Sequence, residues 1–176
     1  MKYLIALPLA ALAFTVSANA QTTKTTTIEN SKGTATRTAT RDQGNLTVDA
    51  TATRASDGAT ATRTRERTKT EDGVSGSGSQ TGFNGKTRSY EYDRARTEDG
   101  WATTGSATDK QGRAYDYDAF GRKTETGREN SRTVMRDGAQ VYSRTGSVNR
   151  VDGQIQRNVN ATRDPSFKPR KAPRRR

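Results

Sequence analysis

The chain reads as an all-β protein, an antiparallel repeat meander that folds as a twisted sheet, an open barrel or a sandwich. Three observations predict it. Turn dipeptides ending in Gly recur along the chain at Lys32-Gly33, Gln43-Gly44, Asp57-Gly58, Asp72-Gly73, Asn84-Gly85, Asp99-Gly100, Gln111-Gly112, Phe120-Gly121, Asp137-Gly138 and Asp152-Gly153. Asp-Gly and Asn-Gly suit tight hairpin turns, which need positive φ at the central residues. Between the turns up to Thr70, Thr recurs on alternate positions, and in a strand alternate side chains share a face. Finally, several turns repeat 27 positions apart: Asp57 to Asn84 to Gln111, and Asp72 to Asp99. A constant interval suggests a supersecondary unit of two strands and two turns. The intervals blur toward both ends of the chain, so a parallel β-solenoid, which needs a steadier period, is the alternative architecture.

Residues 1–20 have the layout of a signal peptide. Lys2 gives a positive start, Tyr3 to Val16 is an apolar run, and Ala18 and Ala20 form a small-x-small site with Gln21 as the first mature residue. The run is short for a bilayer span and contains Pro8. Export to the periplasm or beyond the cell is the expectation, with no transmembrane span. An outer-membrane barrel fits poorly, because its lipid face needs alternating apolar residues and aromatic girdles.

Residues 21–163 form the repetitive, Thr-rich β domain. Ala35, Arg37, Ala39 and Arg41 alternate with Thr34, Thr36, Thr38 and Thr40. Val48, Ala50, Ala52 and Arg54 alternate with Thr47, Asp49, Thr51 and Thr53, and the pattern continues from Ala59 to Thr70. The branched Cβ of Thr suits the pleat, and Thr–Thr pairs across strands add to it. Helix is disfavoured here, since Thr and Gly form it poorly and no 3.6-residue stripe appears. Gly76-Ser77-Gly78-Ser79 reads as a bulge or irregular loop.

Composition limits the core. Hydrophobic residues are 28% of the chain, and Cys is absent, so no disulfide staples the fold. Backbone pairing and small-residue packing must therefore hold a thin sheet. Tyr90, Tyr92, Trp101, Tyr115 and Tyr117 are expected at its packing centre.

Tyr90-Glu91-Tyr92-Asp93 recurs as Tyr115-Asp116-Tyr117-Asp118. The stretch from Gly112 to Thr124 resembles the YD repeat of Rhs-type and teneurin-like secreted proteins. Tyr115, Tyr117, Asp118, Gly121 and Arg122 carry the likeness, which Tyr90 to Arg94 shares only in its Tyr-x-Tyr-Asp half. The resemblance implies a strand-turn unit at residues 112–124.

Chemistry is narrowly bounded. The chain has no His and no Cys, which removes Ser-His-Asp and Cys-His systems and the common zinc sites. No catalytic residue, metal ligand or cofactor is expected, and the chain reads as a non-enzyme. The alternative is a carboxylate-dependent enzyme using Glu91, Asp93, Asp116 and Asp118, if their strands bring them to one face.

Charge is the remaining signal. The net charge is +12, with a pI near 10.4. Residues 164–176 form a basic, Pro-rich tail, in which Lys168, Arg170, Lys171, Arg174, Arg175 and Arg176 stand against Asp164 alone. These six are the expected anion-binding residues. The expected partners are anionic envelope polymers or extracellular polyanions, without sequence-specific nucleic-acid recognition, and with self-assembly as a further route. The function expected is structural or adhesive. A Thr-array module binding polysaccharide or ice is the runner-up.

Overall fold

The computed structural model describes residues 21–167. They form eleven strands in one sheet, ordered as in the sequence and antiparallel throughout. The strands are β1 (Thr22–Asn30), β2 (Gly33–Asp42), β3 (Asn45–Arg54), β4 (Thr60–Lys69), β5 (Gly73–Thr81), β6 (Thr87–Thr97), β7 (Gly100–Thr108), β8 (Ala114–Thr124), β9 (Gly127–Arg136), β10 (Ala139–Val151) and β11 (Gln154–Arg163). Strand spacing makes the sheet about 50 Å across and about 34 Å tall. It is not closed: β1 and β11 each keep an unpaired edge among the described residues. The antiparallel meander is therefore the architecture. No helix among the described residues is long and apolar enough to cross a membrane.

Each strand touches only its sequence neighbours. The sheet is thus a single layer with no opposing layer to pack against. Val48, Ala119 and Val141 are its buried hydrophobic residues. Long side chains on the next strands supply the cover. Val48 lies between Ala39 and Arg65, and Ala119 between Thr103 and Arg132. An arginine stem buries apolar surface while its guanidinium stays in water, so these rows make a thin core without a second sheet.

The turns follow three designs. At Gln43-Gly44, Asp137-Gly138 and Asp152-Gly153 both residues have positive φ, as a two-residue type I′ hairpin requires. At Gly58, Gly85 and Gly112 a left-handed glycine lies inside a longer loop, and in the remaining turns the glycine opens the next strand. Gly73, Gly100 and Gly127 do this at one end of the sheet, and none of them has positive φ. There a Cβ would fall 1.8 Å from the Arg94 carbonyl oxygen, 2.0 Å from that of Gly121 and 1.8 Å from that of Val148. These glycines permit close strand approach rather than an unusual dihedral.

Two expectations need correction. Phe120-Gly121 is no turn: it lies inside β8, and the chain reverses at Glu125-Thr126. The strand-turn break implied at Gly121-Arg122 is therefore absent. Gly121 is there because the Trp101 ring lies on it, leaving 2.8 Å from a Cβ to Nε1. Gly76-Ser77-Gly78-Ser79 is no loop either. It is the middle of β5 and pairs in unbroken register with β4 and β6. Its glycines carry aromatic rings from the next strand, which fill the space a side chain would take.

β10 carries the one register shift, between Gln140 and Tyr142. The extra residue, Val141, is 3% exposed, and its carbonyl accepts the Asp164 amide at 2.9 Å. That bond starts a turn in which the Asp164 carboxylate accepts from the Ser166 amide at 2.7 Å. The Ser166 hydroxyl and amide hold this carboxyl below its usual range. Phe167 then reaches Tyr115 and Tyr142, with ring centroids 6.4 and 6.0 Å apart.

Candidate anion-binding face

Parity along each strand, carried across by register, sorts every strand residue onto one of two faces. Paired residues share a face, so the ladder of β1 to β11 fixes both faces from edge to edge. One face collects the cations. It holds Lys24 of β1, Arg37 and Arg41 of β2, Arg54 of β3, and Arg63, Arg65, Arg67 and Lys69 of β4. Arg88, Arg94 and Arg96 of β6 and Lys123 of β8 follow. Arg128, Arg132 and Arg136 of β9, Arg144 and Arg150 of β10, and Arg157 and Arg163 of β11 complete it. No strand carboxylate lies among them.

The acidic residues are on the other side. Glu29, Asp42, Asp49, Glu66, Glu91, Asp93, Asp116, Asp118 and Glu129 share the opposite face with the Thr and Ser residues. The rest of the chain's 19 Asp and Glu residues sit in turns. Arg122 is the lone strand cation on that face, and it pairs with Glu129.

This segregation leaves the cations uncompensated. Among the described residues, Arg54 alone on the cationic face forms an ion pair, with Asp57 of the following turn at 3.0 Å. Arg132 faces Arg144 directly across β9 and β10, and Lys123 faces Arg128 across β8 and β9. Like charges in opposed positions destabilise a sheet. Their field adds over a surface of about 50 by 34 Å and attracts anions.

Two strands of the sheet's middle, β5 and β7, contribute no cation to this face. They bring Gly76, Gly78, Gly105 and Ala107 instead, and these flank the tyrosines of β6. Tyr90, Tyr92, Trp101, Tyr115 and Tyr117, the residues expected to centre the packing, all lie on the cationic face of β6, β7 and β8. They form a shallow, half-exposed strip, and Tyr90 remains 39% exposed. Arg94 covers the Trp101 ring, with its Cζ 4.2 Å from the ring centre. Tyr115 donates its hydroxyl to Asp109 Oδ2 at 3.2 Å.

Asp109 is the anchor of the β7–β8 loop. Partial burial works against its ionised form, but the Arg113 guanidinium and the amides of Gln111 and Arg113 outweigh that and hold its carboxyl at about 2. The Arg113 ion pair is 2.6 Å long.

The carboxylates Glu91, Asp93, Asp116 and Asp118 do share one face, yet β7 stands between the two pairs. Ser106 separates Glu91 from Asp116, and Thr104 separates Asp93 from Asp118. Ser106 donates to Glu91 Oε1 at 3.0 Å. Among the described residues no cluster of His, Cys, Asp or Glu is disposed to hold a metal ion.

Lys168, Arg170, Lys171, Arg174, Arg175 and Arg176 lie outside the described residues, as do Ala18 and Ala20; Gln21 precedes β1. The cations of the strands are the anion-binding candidates that sequence reasoning missed. Their signal is the Arg parity within β2 to β4 and within β6, which by itself does not join one strand's face to the next.

No family model, curated protein or solved structure matches the chain.

Proposed function

We propose that this is an exported structural or adhesive protein of a bacterial envelope or matrix, which holds anionic polymers on the cationic face of its sheet. One observation carries the reading: every strand cation but Arg122 lies on one face, and every strand carboxylate lies on the other. A sheet gains nothing in stability from opposing Arg132 to Arg144, so the arrangement favours an external anion as the missing partner. The tail from Lys168 to Arg176 adds a second cationic element, and residues 1–20 supply the export signal. The reading assigns no catalytic residue.

The test is retention on a sulfated polysaccharide across a salt series. Binding that releases counterions weakens linearly in log salt, with a slope set by the charges engaged. Changing Arg63, Arg65 and Arg67 to Gln is expected to lower both affinity and slope. Affinity that ignores these three residues would defeat the proposal.

A second reading has its own support on the opposite face. Thr27, Thr36, Thr51, Thr62, Thr81 and Thr87 form one unbroken row across six neighbouring strands. Thr23 and Thr40, and Thr25 and Thr38, hydrogen-bond at 3.1 Å within parallel rows. Such a regular hydroxyl lattice suits a polysaccharide or an ice surface. Thermal hysteresis measured with the mature protein tests the ice version, which a null result excludes.

A further inference from the structure

We infer that the cationic face binds single-stranded nucleic acid at a platform made by Tyr90 and Tyr92. The inference rests on the anion-binding reading of the same face and names its ligand class.

The two tyrosines are residues i and i+2 of β6 and share that face. Both rings lie down over β5 instead of standing away from the sheet. A Cβ at Gly76 would come 2.6 Å from Tyr92 Cε1 and 2.7 Å from its Cζ. At Gly78 it would come 2.9 Å from the same two atoms of Tyr90. The rings are nearly parallel, with 14° between their planes and centroids 6.5 Å apart. Each ring lies against a glycine of β5, Tyr92 on Gly76 and Tyr90 on Gly78. The neighbouring aromatics differ: Arg94 covers Trp101, and Phe167 packs on Tyr115. Among the described residues no arginine lies over the Tyr90 or Tyr92 ring, and each has only the other as an aromatic neighbour.

The charges around the platform are placed for a strand whose planar groups and anions are separate. Arg65 lies in register with Gly78 and Tyr90, and Arg67 with Gly76 and Tyr92. Each arginine is thus two strand spacings, about 10 Å, from its tyrosine. Arg88 and Arg94 stand at the two ends of the pair on β6 itself. A sulfated sugar carries its charge on the ring that would have to stack. A nucleotide keeps a neutral planar base apart from its phosphate. Bases on Tyr90 and Tyr92 with phosphates on Arg65, Arg67, Arg88 and Arg94 satisfy both halves of the site. Stacking of this kind tolerates any base, so it requires no sequence preference.

The experiment compares two strands with the full-length mature protein by fluorescence anisotropy: labelled oligothymidylate, and an abasic oligomer of the same length and charge. Stacking on two rings predicts at least about tenfold tighter binding of the thymidylate strand at equal salt. Tyr90→Ala with Tyr92→Ala is expected to abolish that preference and leave the abasic affinity unchanged. Tyr90→Phe with Tyr92→Phe keeps the rings over the glycines and is expected to retain it. Equal affinity for both strands, or a preference that survives the Ala pair, overturns the platform while leaving the anion-binding reading intact. Failure to bind either strand overturns that reading as well.

Discussion

The ring of Tyr92 occupies the place where a side chain at position 76 would be, 2.6 Å from the site of its Cβ. The pair lies in register across β5 and β6, and the tyrosine replaces packing that the glycine lacks. Gly76→Val is therefore expected to lift the ring and cost about 1–3 kcal/mol, as overpacking does. Urea unfolding gives the cost, and near-ultraviolet circular dichroism reports the ring. An unchanged tyrosine signal would show that the ring does not depend on the glycine.

Glycines of different turn designs are expected to respond differently to alanine. At Gly58 the φ is +68° with nothing within 4 Å of a Cβ, so the cost is that of a left-handed residue, about 1–2 kcal/mol. At Gly73 a Cβ falls 1.8 Å from a backbone carbonyl of β6, which cannot rotate away. Gly73→Ala must part the ends of two strands and is expected to lower the urea midpoint by more than Gly58→Ala. Equal midpoints would refute the close-approach account.

Asp109 gives the β7–β8 hairpin a pH dependence whose sign follows from its lowered value. Its carboxyl is near 2 in the fold and near 3.8 in the free chain. The unfolded state therefore binds the proton first, and stability rises with pH across that window. The contribution is complete above about pH 4 and is lost as pH falls toward 2. Asp109→Asn is expected to remove this dependence and cost about 1.5–3 kcal/mol at neutral pH, the range for hydrogen bonds to a charged group. Thermal melts of both proteins from pH 2 to 7 check it.

The opposed pair Arg132 and Arg144 makes the bare sheet self-repelling at β9 and β10. Salt is expected to raise the melting temperature by screening it. Arg144→Glu is expected to stabilise by about 0.2–1 kcal/mol at low salt, with the gain shrinking at high salt. Differential scanning calorimetry at two ionic strengths measures both effects. A melting temperature that falls with added salt would contradict the picture of uncompensated charge.

Much of this architecture is legible in residue patterns. Thr on alternate positions marks β2 to β4, and the 27-residue interval of the turns is the two-strand hairpin unit. Extending the interval from Gly100 reaches Gly127, the strand-opening glycine that no Asp-Gly or Asn-Gly dipeptide marks, because Thr126 precedes it. Phe120-Gly121 and Gly76 to Ser79 misled for one reason. A glycine under an aromatic ring of the next strand looks locally like a glycine in a turn, and only register tells them apart. The cationic face is half legible. Parity shows Arg63, Arg65 and Arg67 together on β4, but joining them to Arg94 or Arg132 needs pairings across several strands. The bulge at Val141 also shifts parity within β10.

The central claim is that the sheet face, and not only the tail, holds the anionic polymer. Its most direct measurement is the affinity for a sulfated polysaccharide of two full-length variants of equal charge loss. One carries Gln at Arg63, Arg65, Arg67 and Lys69; the other carries Gln at Arg170, Lys171, Arg174 and Arg175. The sheet variant is expected to lose the larger share of affinity and of salt dependence. Undiminished binding by the sheet variant, together with binding abolished in the tail variant, would contradict the claim.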